Sequence, residues 1–342
     1  MATQALIIDS IISEISDTKS FVLKAVGNPI IYQSGQFLTL LHPLSSSIRR
    51  SYSLSSHPLL DKYLKITVKR IPNGEFSRWL FDHAKVGDSI QTIGAAGFFT
   101  LPDSLSKDAT LFFLAAGSGI TPIMSLLKEV LFHRTQHVVL VYSNRSETET
   151  IFYQELCELG KRFPKRLSLV FLFSNNKNLF RARLSKSVLI DLIYEYVVHK
   201  SKAIFYLCGP HDYMQTAQIT LLTENIPAKN IRTEKFNTDK PTPKELPPDT
   251  DQHQVNITYQ GNKFSFTVKY PNTILQTAKL QGIELPYSCE AGRCGTCAAT
   301  CVSGKIWMSR NEVLLDKEME NGRVLTCTGY PVGGDAELKV SG

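Results

Sequence analysis

Five of the seven cysteines crowd into the last sixth of the chain: Cys289, Cys294, Cys297, Cys301 and Cys327. Three of them make the run Cys289-Glu-Ala-Gly-Arg-Cys294-Gly-Thr-Cys297, a C-x4-C-x2-C loop, and Cys327 follows in Leu325-Thr326-Cys327. That spacing suits a two-iron, two-sulfide cluster. Such a cluster takes four thiolates, and its sulfides gain from nearby backbone N–H groups, so the loop needs residues that let the backbone come close. Gly292 and Gly295 meet that need. The alternative is a structural zinc site, but zinc sites usually pair two C-x2-C knuckles and have little use for x4 spacing inside a glycine-containing loop.

Two further constellations lie upstream. Arg50-Ser51-Tyr52-Ser53-Leu54 places a guanidinium, an aromatic ring and a hydroxyl on one short strand, and Gly74-Glu75-Phe76-Ser77 follows about twenty residues later. An arginine can clamp a pyrophosphate, a tyrosine ring can cover a flavin face, and a serine can hydrogen-bond the flavin's reactive nitrogen. Glycine at 74 lets amide donors near Phe76 and Ser77 approach phosphate at a helix start. Leu114-Ala115-Ala116-Gly117-Ser118-Gly119-Ile120-Thr121-Pro122 reads as a buried strand, a glycine turn and a helix. Thr121 is expected to cap that helix and Pro122 to sit in its first turn, leaving N–H groups for a dinucleotide pyrophosphate. Leu207-Cys208-Gly209-Pro210 follows another buried strand and puts a thiol at the sheet edge where ligands bind. Arg145 stands after strand Val138–Tyr142, where a dinucleotide fold reads the ribose. The missing acid beside it leans towards NADPH, with NADH the alternative.

These residues need scaffolds, and the chain offers three. Residues 1–104 carry short β-branched runs between Gly, Pro and Ser turns, which predicts an antiparallel barrel or sandwich. Residues 105–236 alternate strand and helix, the rhythm of a parallel α/β sheet, with a helix expected over Glu149–Leu159. Residues 237–252, NTDKPTPKELPPDTDQ, hold four prolines and almost nothing apolar, so they read as a semi-rigid extended tether. Residues 253–342 open with a hairpin, Val255–Tyr259 and Phe264–Val268, and a short amphipathic helix near 273–280. Composition narrows the classes. The net charge of +7 is spread along the chain, with no basic block interleaved with aromatics, which argues against nucleic acid. No apolar run nears the roughly 20 residues of a membrane span, and the first residues include acids rather than a basic leader, so a cytoplasmic setting is expected.

LPYSCEAGRCGTCAA with VLTC resembles a plant-type ferredoxin over residues 253–342. The order and spacing of the upstream motifs resemble the ferredoxin-NADP reductase family over residues 5–236. Together they resemble the reductase components of multicomponent oxygenases, the phenylacetyl-CoA epoxidase type among them. The resemblance implies a flavin-binding β-barrel, an NAD(P)-binding α/β domain and a β-grasp 2Fe-2S domain. It implies Cys289, Cys294, Cys297 and Cys327 as iron ligands. Arg50, Tyr52, Ser53, Leu54, Gly74, Phe76 and Ser77 would serve the flavin, FAD rather than FMN, and Phe236 would cover its other face. Gly117, Ser118, Gly119, Thr121, Pro122, Arg145, Cys208, Gly209 and Pro210 would serve the nicotinamide dinucleotide, with Ser53 and Cys208 nearest the reacting atoms. Cys301 departs from the family pattern and reads as a small buried hydrophobe on a strand leaving the loop. The implied activity passes electrons from NAD(P)H through flavin and cluster to a partner oxygenase, hydroxylase or desaturase. A stand-alone NAD(P)H oxidase or ferric reductase, or a zinc-stabilised binding module, are the competing readings.

Overall fold

A computed structural model describes residues 3–236 and 245–340. By their contacts these residues form two compact units: Gln4–Ala95 with Phe99–Lys235, and a smaller one built on residues 245–340.

The larger unit opens with β1 (Gln4–Ile15), β2 (Thr18–Ala25), β3 (Phe37–His42), β4 (Ser45–Ser53), β5 (Leu64–Lys69), the helix α1 (Glu75–Asp82) and β6 (Ser89–Ala96). The strands form one sheet in the order β4-β3-β6-β1-β2-β5. A bridge between Leu54 and Ile66 joins its two edges into a barrel, as the turn-rich sequence leads one to expect. Alternation along the strands sends Leu6, Ile8, Phe21, Leu23, Leu38, Leu40 and Ile66 inward, all fully buried. Each such side chain stabilises by about 1.5–3 kcal/mol on burial.

The same unit continues with β7 (Thr110–Ala116), α2 (Ile120–His133), β8 (His137–Asn144), α3 (Tyr153–Arg162), β9 (Leu167–Phe173), α4 (Lys186–Tyr196), β10 (Ile204–Cys208), α5 (His211–Thr223) and β11 (Ile231–Glu234). The sheet order is β11-β10-β7-β8-β9, every pair parallel. Strand β7, TLFFLAA, is buried throughout because helices cover both faces. Leu111, Phe113 and Ala115 pack with α2 and α3, while Phe112 and Leu114 face α4 and α5. The expected helix over Glu149–Leu159 is corrected to Tyr153–Arg162: residues 147–149 form a separate tight turn, and Phe152 adopts a left-handed φ of 62° that breaks helical continuity.

The smaller unit holds β12 (His253–Tyr259), β13 (Asn262–Val268), α6 (Ile274–Leu280), β14 (Ala298–Ser303), β15 (Ile306–Met308), α7 (Asp316–Glu320), β16 (Arg323–Leu325), β17 (Gly329–Pro331) and β18 (Ala336–Val340). A mixed sheet in the order β13-β12-β18-β14-β16 grips α6, the β-grasp arrangement. The hairpin turns at Gln260 and Gly261, both at positive φ, and Thr273 with Gln276 forms a reciprocal cap on α6. Of the expected tether, residues 237–244 lie outside the described residues. Its remainder is docked rather than extended: Pro247 is buried, and Asp249 accepts from Gly333 N at 2.7 Å, Asp251 N at 2.8 Å and His253 at 2.6 Å. Those bonds hold the Asp249 carboxyl down at about 2.

Candidate functional site

The cysteine loop spans the chain between α6 and β14. Pairing of Ala298 with Leu325 brings the start of β14 beside the end of β16, and Thr326 bonds the Cys297 carbonyl through both its N–H, at 3.2 Å, and its Oγ1, at 3.1 Å. This joint sets Cys327 against Cys297. Cys289, Cys297 and Cys327 are buried and Cys294 partly so. The thiols meet in two pairs, Cys289 with Cys294 and Cys297 with Cys327. Two adjoining thiol pairs fit two irons with two terminal ligands each. Cys289 is drawn down to about 6, first by the Cys294 thiol and then by the N–H groups of Ala291, Arg293 and Cys294, against the effect of burial. Such a sulfur is poised as a thiolate ligand.

Gly292 and Gly295 sit at φ 70° and 74°, and a Cβ on Gly292 would come within 2.7 Å of the Arg310 carbonyl. The segment pressing there is itself tied down: Thr328 Oγ1 donates to Arg310 O at 2.8 Å, Glu312 N to Gly292 O at 2.9 Å, and Arg293 Nε meets Glu312 at 3.3 Å. Thr326, Thr328, Arg310 and Glu312 went unread in the sequence because no cysteine spacing marks them. Cys301 lies on β14, paired with Leu338, and is partly rather than fully buried. Its thiol faces the carbonyls of Ser303 at 3.3 Å and Gly304 at 3.6 Å. Four residues of strand carry it about 13 Å from Cys297.

In the barrel, β4 brings Tyr52 opposite Leu38 and Ser53 opposite Phe37. Arg50 is exposed, Tyr52 is partly buried with its ring edge-on to Phe76 at 5.9 Å, and Ser53 is buried. Leu54 belongs to the barrel seam, and Phe76 is core, 1% exposed. Gly74 precedes α1 directly; Ser77 Oγ donates to its carbonyl at 3.1 Å and would stand 2.4 Å from any Cβ there. The space a side chain at 74 would need is taken by Ser77 Oγ and Ile71, so the helix start keeps this form only with glycine there.

At the parallel sheet, β7 runs into Gly117 at φ 53° and a tight turn through Gly119 that flows into α2. Tyr142 Oη fixes the turn by donating to Gly117 O at 2.9 Å. The expected cap at Thr121 is corrected: the chain is already helical at Gly119, which caps α2, and Thr121 Oγ1 donates back to Ser118 O at 3.0 Å. Pro122 sits in the first turn, as expected. A Cβ on Gly119 would lie 2.0 Å from Cys208 O, so the turn nests against the end of β10, where a Cβ on Gly209 would in turn come within 3.0 Å of Ala116 Cβ. Pro210 caps α5 and is exposed. Arg145 is 84% exposed with Glu149 at 3.7 Å. Phe236 lies beyond β11 and is 47% exposed.

The barrel and this sheet meet chemically through a residue that the sequence reading passed over. Glu234, last in β11 and paired with Cys208, accepts a hydrogen bond from Ser53 Oγ at 3.0 Å. Burial pushes its carboxyl up to about 8, with Ser53 pulling the other way. The Cys208 thiol is raised by burial and then by Glu234. A serine, a carboxylic acid and a thiol are thus gathered at the carboxyl edge of the parallel sheet. The signal for Glu234 was its place at the end of a strand beside Cys208, visible only once the strand order is known.

Residues 5–101 match the oxidoreductase FAD-binding domain family, 113–218 the oxidoreductase NAD-binding domain family and 257–332 the 2Fe-2S iron-sulfur cluster binding domain family. The chain is 34% identical to the ferredoxin reductase component of 3-ketosteroid-9-alpha-monooxygenase from Rhodococcus rhodochrous, over 96% of this chain and 94% of that one. It is 29% identical to one of the subunits of 1,2-phenylacetyl-CoA epoxidase from Escherichia coli K12, over 89% and 87%. Among solved structures, phthalate dioxygenase reductase shares the fold with a TM-score of 0.62 at 24% identity, covering 99% of this chain and 98% of that one.

Proposed function

The chain belongs to the ferredoxin reductase components of oxygenase systems, an NAD(P)H oxidoreductase with FAD and a 2Fe-2S cluster, and from that premise we propose which of its residues do the work. The bound flavin takes a two-electron hydride from the nicotinamide and the cluster carries electrons onward singly to the oxygenase. The protein's part is to hold these groups in place for transfer.

Arg50 and the amide groups opening α1 at Gly74, Phe76 and Ser77 hold the flavin's phosphates; Tyr52 lies along its ring and Leu54 supports that strand. Ser53 Oγ, which donates to Glu234 in this structure, would turn its proton to the flavin's reactive nitrogen when the flavin is bound. Gly117, Ser118, Gly119, Thr121 and Pro122 form the pyrophosphate turn, and Cys208, Gly209 and Pro210 shape the nicotinamide pocket. Glu234, whose carboxyl burial pushes up to about 8, is bonded to Ser53 and paired on the neighbouring strand with Cys208, and in its protonated form it can donate to Ser53 Oγ in return. Phe236 covers the remaining flavin face. Cys289 and Cys294 hold one iron, Cys297 and Cys327 the other. Arg145, with Glu149 at 3.7 Å, reads the ribose end, and NADPH is the favoured nicotinamide with NADH the alternative. The acceptor is an oxygenase, hydroxylase or desaturase component. No described helix is long and apolar enough to cross a membrane, and we place the protein in the cytoplasm.

The observation that carries this reading is the Ser53–Glu234 bond, which joins the flavin strand to the nicotinamide sheet edge beside Cys208. Purified protein tests it: flavin and cluster absorbance, FAD on extraction and about two irons per chain are expected. A colourless protein containing zinc contradicts it.

A further inference from the structure

The helix that begins at the pyrophosphate turn carries Ser125, Lys128 and Glu129 on one face, spaced three and four residues apart. All three engage the segment that leaves the flavin strand just after Ser53. Ser125 Oγ donates to Ser56 O at 2.6 Å, and both serines are wholly buried. Ser56 Oγ is held in turn by Tyr32 Oη at 2.8 Å and by Lys65 N at 2.9 Å. Lys128, 8% exposed, reaches Asp61 at 3.4 Å and Glu155 of α3 at 2.8 Å. Asp61 also accepts from His57 N at 2.6 Å.

The third contact is His57 Nε2 to Glu129 at 2.8 Å, with Arg134 on the far oxygen at 3.2 Å. His57, Glu129 and His133 bring donor atoms within 4.8 Å of one another, yet their geometry is not that of a metal site. Nδ1 of His57 accepts the N–H groups of Leu59 and Leu60 at 3.2 Å, so the ring proton is on Nε2 and is donated to Glu129. The two imidazoles stack, 5.0 Å apart and 12° from parallel, instead of converging on one point.

We propose that this network is a strut: Ser125, Lys128 and Glu129 are positioning residues that hold the nicotinamide lobe at hydride-transfer distance from the flavin barrel. One end of α2 is the dinucleotide turn, and its side is bonded to residues three to eight positions beyond the flavin serine. Mutually satisfied bonds of this kind, buried at Ser125 and Ser56 and half-buried at Glu129 and Asp61, fix one arrangement of two lobes, because an alternative would strand the buried polar atoms away from water. The proposal rests on the assignment of flavin to Ser53 and of nicotinamide to Gly117–Gly119.

Anaerobic stopped-flow mixing of the full-length holoprotein with NADH and with NADPH separates the limiting rate of flavin bleaching from the nicotinamide dissociation constant. For Ser125→Ala and Glu129→Ala the limiting rate should fall about 10- to 100-fold while the dissociation constant stays within about 2-fold. Glu129→Gln, which still accepts from His57, should keep most of the rate. Bound-flavin absorbance reports the fold of each variant, and the Gln–Ala pair at Glu129 decides if Ser125→Ala does not accumulate. Unchanged limiting rates in the alanine variants, a loss confined to the dissociation constant, or Glu129→Gln as slow as Glu129→Ala would overturn the strut. A parent protein bleached by neither nicotinamide would instead refute the functional assignment beneath it.

Discussion

At the scale of single residues, the question is which cysteine sulfurs are ligands. Cys327 meets Cys297 at the joint made by Thr326, whereas Cys301 is carried off along β14 with its thiol turned to two carbonyls. Cys301→Ser keeps a donor for those carbonyls and should lower stability by less than about 1 kcal/mol, with cluster absorbance and the reduced-state EPR signal retained. Cys327→Ser should lose or badly weaken both while NAD(P)H still bleaches the flavin; the reverse pattern would overturn the ligand set. Glu234 supplies a pH dependence. Its folded value of about 8 exceeds the ordinary 4.5, so the folded chain keeps a proton that the unfolded chain releases. That contribution to stability is complete below pH 4.5 and is lost as pH rises through 8. Melting temperature should therefore fall from pH 5 to pH 9 by several degrees more in the parent than in Glu234→Gln; parallel curves would mean that the carboxyl is not held protonated.

At the scale of elements, strand ends and turns position everything that reacts. Gly119 shows how tightly: a methyl there meets the Cys208 backbone carbonyl at 2.0 Å, while one on Gly117 meets nothing within 4 Å. Gly119→Ala should lose roughly 2–4 kcal/mol in urea denaturation, and Gly117→Ala only the ~1 kcal/mol of its positive φ. Equal losses would contradict the nesting of that turn on β10. The same comparison shows what the sequence disclosed. Cysteine spacing, the R-x-Y-S strand and the glycine turn were legible because their chemistry dictates residue type at short range. Glu234 was not, since its partner Ser53 lies 181 positions away and only the fold joins them. Nor were Arg310 and Glu312, which act on the cluster loop through backbone contacts and one ion pair to Arg293 that leave no pattern in the sequence. The start of α3 was missed because Phe152 takes a left-handed conformation that nothing in its side chain favours, and the docked stretch 245–252 because its bonds come from Gly333 and His253, distant in sequence or outside the proline-rich run.

At the scale of the whole molecule, electrons pass in relay: nicotinamide, flavin, cluster, acceptor. Relatives of this chain are named for a 3-ketosteroid monooxygenase and a phenylacetyl-CoA epoxidase, in keeping with a reductase component that serves an oxygenase partner. The order of the relay is the central claim, and rapid mixing of the anaerobic protein with NADH or NADPH tests it most directly, with flavin absorbance and freeze-quenched EPR followed on the same time base. Flavin bleaching should come first and the EPR signal of the reduced cluster should grow as electrons leave the flavin, in the full chain and not in protein stripped of flavin. A cluster that NAD(P)H reduces equally fast without flavin would contradict the account.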